Sequence, residues 1–253
     1  SDEEFIFNGE VITESGTYTA TYKDMYGCDS VVKQSVFIQD ALHLSFDSVY
    51  IACADDENIA LPYFLASGSL DTCSAVLESS LNSYDTFSNV TIRDNTLFIP
   101  MPDSVIPNVY TVKLDFGPQS CGQEGEETKV SIYYSREVLA QRWNDVLAVK
   151  NKDNNGGFTF TKYQWYKISE ANFTWQPLSG QTSSYLYLPE GLGTQSVYSV
   201  GLTREGENIE IRTCAIYPED YSNTANVPTL VKPSQPMQIK SRGNVAINGV
   251  AYW

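Results

Sequence analysis

The chain has 253 residues, 13% of them aromatic and only 19% charged, with a formal net charge of −15. That charge repels phosphate backbones and anionic membrane surfaces, which excludes nucleic acid and lipid headgroups as natural partners. No apolar run approaches the ~20 residues of a membrane-spanning helix, and the length suits two domains or three small ones.

In chain order, Ser1-Asp2-Glu3-Glu4 is acidic and leads straight into strand-like sequence, as in an internal piece of a longer protein whose targeting segment is gone. Tyr18, Ala20 and Tyr22 alternate with Thr19 and Thr21, the signature of a half-buried strand. A turn at Tyr26-Gly27-Cys28-Asp29 and a second strand over Val31 to Ile38 complete a hairpin. Alone it is too small for a closed sandwich, so residues 1–40 read as the last hairpin of a truncated module.

Ser48 to Ala52 and Ile59 to Phe64 are strand candidates around the acidic turn Asp55-Asp56-Glu57-Asn58. Val90-Thr91-Ile92 and Leu97-Phe98-Ile99 flank Arg93-Asp94-Asn95, which predicts a tight hairpin. Residues 74–88 fit a short helix or an irregular loop. Val109 to Phe116 alternates most cleanly, with Tyr110, Val112, Leu114 and Phe116 facing in. Val130, Ile132 and Tyr134 close this module.

Gln141 to Val149 and Phe158 to Tyr166 are apolar runs on either side of the polar stretch Asn151 to Gly157, and they predict a hairpin with Trp165 as its core anchor. Tyr185 to Leu188, Tyr198 to Leu202 and Ile209 to Ile211 follow as strands. Val231 to Pro236 is a Pro-bearing linker, and Met237 to Lys240 and Val245 to Ile247 look like two strands of a further module.

Three strands share a Tyr followed by alternating apolar positions, at Tyr18, Tyr110 and Tyr198. The spacings are 92 and 88 residues, close to an immunoglobulin-like sandwich of ~100 residues. The expected fold is therefore all-β, with tandem immunoglobulin-like sandwiches and little helix. The expected divisions are 1–40, 41–134, 135–230 and 231–253, the last a linker and the start of a C-terminal β module.

The cysteines are Cys28, Cys53, Cys73, Cys121 and Cys214, an odd number at wide spacing with no C-x-x-C. That pattern disfavours zinc and thioredoxin-like chemistry. One disulfide suits an oxidising compartment, Cys53 with Cys121 first and Cys73 as competitor; five free thiols are the alternative.

His43 is the single histidine, and Leu42 and Leu44 place it on an ordinary strand or linker. Glu124, Glu126 and Glu127 form an acidic run typical of a solvated loop. Asp55 to Asn58 and Asp153 to Gly156 offer oxygen ligands but lack the spacing of a calcium loop, and turn chemistry accounts for both. No catalytic residue, metal site or cofactor is expected. Among the tryptophans, Trp143 suits a module junction. Trp175 lies between strands, where with Phe173 and Tyr166 it would form a binding platform.

Gly16-Thr17-Tyr18 with Gly27-Cys28-Asp29-Ser30 resembles an immunoglobulin-like repeat of large surface proteins of Bacteroidetes. Gln141 to Val149, Tyr163 to Tyr166 and Tyr185 to Pro189 resemble the final such domains, especially in Bacteroides relatives. The resemblance covers most of residues 13–231. It implies export to the cell surface or medium, with 231–253 as the approach to a type IX sorting tail. It also implies O-glycosylation at Asp29-Ser30-Val31, Asp47-Ser48-Val49 and Asp103-Ser104-Val105. The expected role is non-catalytic, spacing or adhesion by a monomer towards a glycan or protein ligand. The alternative is an accessory or carbohydrate-binding region of a secreted hydrolase whose catalytic domain lies outside this chain.

Overall fold

A computed structural model describes residues 5–117, 122–168, 173–221, 245–247 and 250–252. The chain divides into two compact units, residues 1–133 and 134–253. Of the described residues 53% are strand and 3% helix, an all-β fold of tandem immunoglobulin-like sandwiches.

The first unit opens with β1 (Ile6–Phe7) paired to β2 (Glu10–Val11), then β3 (Gly16–Lys23) paired to β4 (Asp29–Val36) over eight residues. The connecting turn is set by Asp24, whose Oδ1 accepts from the backbone N–H of Tyr26 and of Cys28, each at 2.8 Å. Ala20 and Ile12 are buried here, and the Phe7 ring lies 6.4 Å from that of Tyr18.

The sandwich that follows is built from β5 (His43–Phe46), β6 (Tyr50–Cys53), β7 (Asn58–Ser67), β8 (Ser74–Glu78), β9 (Ser83–Phe87), β10 (Thr91–Arg93), β11 (Thr96–Pro100), β12 (Asn108–Asp115) and β13 (Gly125–Tyr133). One sheet has the order β10-β11-β7-β5 and the other β6-β13-β12-β8-β9, with β6 running parallel to β13. Ile59, Leu61, Leu97 and Ile99 from the first sheet meet Leu77, Tyr110, Val112, Val130 and Ile132 from the second. Each such fully buried aliphatic side chain contributes about 1.5–3 kcal/mol. On β12 the alternation is as expected, with Tyr110, Val112 and Leu114 buried and Lys113 and Asp115 exposed. The β10–β11 hairpin turns through Asp94 and Asn95, both in the left-handed region at φ 49° and 53°, the backbone of a type I′ turn.

Residues 74–88 correct the expectation of a helix or loop. They supply β8 and β9, and β8 joins the sheet by pairing with β12 from Thr111↔Glu78 to Asp115↔Ser74. Ala75 and Leu77 are buried on β8, and pairing with β12 fixes the strand.

The second unit contains β14 (Leu139–Arg142), β15 (Val146–Val149), β16 (Phe160–Ile168), β17 (Trp175–Pro177), β18 (Tyr185–Tyr187), β19 (Tyr198–Arg204) and β20 (Glu210–Arg212). Its sheets have the orders β14-β15-β18 and β17-β16-β19-β20. The predicted hairpin between residues 141–149 and 158–166 is therefore not formed, because β15 and β16 belong to different sheets. The hairpin is instead β14–β15, closed around Trp143, whose φ is 57°. The polar stretch after β15 carries the chain from one sheet to the other. Asn155 pins it, donating from Nδ2 to the carbonyls of Lys150 and Phe158 and accepting from the Phe158 N–H. Trp165 is fully buried, and its Nε1 donates to the Ser183 carbonyl at 3.0 Å. The sequence places Trp175 between strands; Trp175–Pro177 is instead an edge strand on β16. Beyond these, β21 (Val245–Ile247) pairs with β22 (Val250–Tyr252). The strand expected at Met237 to Lys240 and the linker before it lie outside the described residues.

Cys53 is in a disulfide, and so is Cys214, which corrects the alternative of five free thiols. Cys73 is a buried free thiol and so not the competitor for a bridge, and Cys28 is an exposed free thiol. The expected partner Cys121 lies outside the described residues.

Candidate functional site

Tyr166, Trp175 and Arg212 share one face of the β17-β16-β19-β20 sheet. On β16 the residues Trp165 and Tyr163 alternate with Gln164 and Tyr166, so burial of Trp165 in the core turns Tyr166 to the opposite face. Trp175 is opposite Ile168 in the ladder, which places it on the Tyr166 face. From β20, the Arg212 guanidinium lies 4.9 Å from the Tyr166 ring centre and 5.9 Å from that of Trp175. Tyr166 donates its hydroxyl to Glu210 Oε1 at 2.8 Å. Gly201 on the intervening β19 makes room, since a Cβ there would collide with the Glu210 side chain. A cation stacked against two π-faces is worth about 0.5–1 kcal/mol per contact at exposed sites.

Of the predicted platform, Tyr166 and Trp175 are thus brought together, each half-buried and each with one ring face committed to Arg212. Phe173 is 83% exposed, at φ 52°. Trp143, expected at a module junction, is 53% exposed. His43 sits on the outer β5, exposed, opposite Ser67.

A second polar cluster lies at the other end of β19. Arg204 is buried and holds Glu207 through Nε–Oε1 and Nη2–Oε2 contacts, both 2.8 Å, with its guanidinium 5.7 Å from the Phe158 ring centre. Burial pushes the nearby Tyr134 hydroxyl well above its ordinary pKa, so it stays protonated and is unsuited to act as a base at neutral pH. Tyr134 packs edge-on against Phe158 and Phe160, and the cluster reads as a polar core.

Sequence reasoning missed one arrangement, at the loop-like segment 215–221. Gln141 behaves as a strand mimic: its Nε2 donates to the Glu219 carbonyl at 2.7 Å and its Oε1 accepts from the Glu219 N–H at 2.8 Å. Asn144 adds a bond from Nδ2 to Asp220 Oδ1 and another from the Tyr221 N–H to its Oδ1. The Gln and Asn of Gln141-Arg142-Trp143-Asn144 thus clip a chain segment 75 or more positions away. The amides were visible in the sequence, but nothing local pointed to their partners.

No protein-family model matches this sequence. No curated protein matches it either. Among solved structures it is similar to titin domains A168–A170, at 13% identity, covering 84% of this chain and 79% of that one, with a TM-score of 0.26. It is similar to the BSP domain of a biofilm-associated protein, at 12% identity, covering 73% and 30%, with a TM-score of 0.23. It is also similar to two fibronectin type III domains of chicken tenascin, at 13% identity, covering 71% and 97%, with a TM-score of 0.25. Likeness at this level says nothing about what the chain binds.

Proposed function

We propose that this chain is a non-catalytic spacer and adhesive region of an exported surface protein, and that glycans are the ligand class. The observation that carries this reading is the threefold recurrence of one structural device. Tyr18 donates its hydroxyl to the Glu14 carbonyl at 2.7 Å, Tyr110 to that of Ile106 at 2.6 Å, and Tyr198 to that of Leu192. Each bond ties the start of a strand to the chain just before it, the tyrosine corner of immunoglobulin-like sandwiches. Repetition of one small module along a chain suits spacing and surface contact. The resemblance of residues 13–231 to surface repeats of Bacteroidetes supports export, and the exposed aromatics of the second unit support adhesion.

Binding of the full chain to a glycan array, with and without calcium, tests this reading. Reproducible capture of a defined group of glycans supports adhesion. A blank array from well-folded protein removes the glycan part and leaves the spacer.

A further inference from the structure

A cleft of about 370 Å³ opens on the second unit beside the segment that Gln141 and Asn144 clip, lined by Arg136, Gln141, Ile216, Tyr217, Glu219 and Tyr221 among others. The volume lies within the ~300–1,000 Å³ of small-ligand sites. We infer that this cleft, and not the Trp175 platform, is where a neutral saccharide binds; the inference rests on the glycan-adhesion reading above.

Four features carry it. The first is stacking surface: Tyr217 is 65% exposed, a large aromatic presented to solvent at the cleft. Its π-face matches the axial C–H face of a pyranose, an apolar patch on a polar molecule. The second is the donor. Arg136 opens the short turn of helix Arg136–Val138, and among the described residues no carboxylate is within ion-pair reach of it. Its guanidinium is free to donate to sugar oxygens. The third is the acceptor: Glu219 is among the residues lining the same cleft, its side chain is a carboxylate, and sugar hydroxyls both donate and accept. A cleft lined by one cationic and one anionic residue favours a neutral, hydroxyl-rich ligand over an acidic one, which Glu219 would repel.

The fourth feature is preorganisation. Residues 217–221 form no regular strand, yet four side-chain bonds from Gln141 and Asn144 hold them. A loop fixed before binding loses less entropy when the ligand arrives. The Tyr166–Trp175 face differs, because Arg212 already occupies one side of both rings.

The test is binding of the full chain to an array of neutral, uronate-bearing and sialylated oligosaccharides, followed by titration of the best neutral hit. Tyr217→Ala and Arg136→Gln should each weaken binding by about tenfold or more, while Tyr217→Phe and Trp175→Ala leave it within about threefold. Melting curves confirm that each variant is folded. Capture that ignores Tyr217→Ala and Arg136→Gln overturns the cleft but leaves glycan adhesion standing. Hits confined to acidic glycans overturn the ligand assignment. An array blank for the native chain removes the glycan reading itself, and the cleft with it.

Discussion

Tyr110 Oη donates to the Ile106 carbonyl at 2.6 Å, from a ring that is fully buried in the first sandwich. The same relationship joins Tyr198 to Leu192 in the second. These bonds close the connection entering a central strand of each larger sheet; the Tyr198–Leu192 bond is buried at both ends, while Ile106 is half-buried.

Removing the hydroxyl therefore leaves a carbonyl without that donor, buried at Leu192 and partly buried at Ile106. Tyr110→Phe and Tyr198→Phe should each lower stability by about 1–3 kcal/mol, whereas Tyr18→Phe, at a more exposed corner, should cost under about 1 kcal/mol. The four tryptophans all lie beyond residue 142, so their fluorescence follows the second unit. Tyr198→Phe should shift the urea midpoint of the fluorescence transition, and Tyr110→Phe that of the far-ultraviolet circular dichroism. An unmoved midpoint in either case contradicts the assignment of that corner.

Trp165 and Trp175 make a contrasting pair in one unit. Trp165→Ala opens a cavity in a fully buried site and orphans the Ser183 carbonyl, at about 3–5 kcal/mol. Trp175→Ala removes a half-buried edge-strand ring and one stacking contact with Arg212, at about 1–2 kcal/mol. Equal losses in thermal unfolding would mean that the edge strand matters as much as the core.

Gln141→Ala removes both bonds to the Glu219 backbone and the one to the Trp143 carbonyl. It should cost about 1–2 kcal/mol, concentrated where the clip acts. Hydrogen exchange should speed up at Glu219 while the Trp165 amide keeps its protection. Uniform acceleration across the unit would show that the clip supports the whole sandwich.

The two free thiols of the first unit should differ in reactivity. Burial pushes the Cys73 thiol up to about 12 from 9.0, with Asp115 adding to the shift, while Cys28 is exposed at the tip of its hairpin. Native protein at pH 8 should react with a thiol reagent rapidly at Cys28, and at Cys73 only after denaturation. The linked stability has a definite sign. Below pH 9 the thiol is protonated in both states; between about 9 and 12 only the unfolded chain ionises. Stability contributed by the neutral buried thiol is thus lost as pH rises through that window. Cys73→Ala should flatten that fall, and an unchanged alkaline slope would show that Cys73 does not cause it.

What the sequence by itself determined is what repeats locally. Alternation of Tyr110, Val112 and Leu114 with polar neighbours dictates a strand with one buried face, because side chains on a strand point alternately to either side. Tyrosines at spacings of 92 and 88 mark the sandwich period, and burial of a large indole made Trp165 a core residue. Tertiary structure decided what depends on distant partners. Residues 74–78 became a strand by pairing with β12, and 83–87 by pairing with 74–78 in turn. Two runs flanking a good turn, β15 and β16, joined different sheets, since the turn sequence encodes a reversal but not which edge receives the chain. The stacking of Arg212 on Tyr166 and the clip from Gln141 to Glu219 join residues tens of positions apart. Such contacts form only once the sheets bring them within bonding reach, and no local pattern in the chain carries that information.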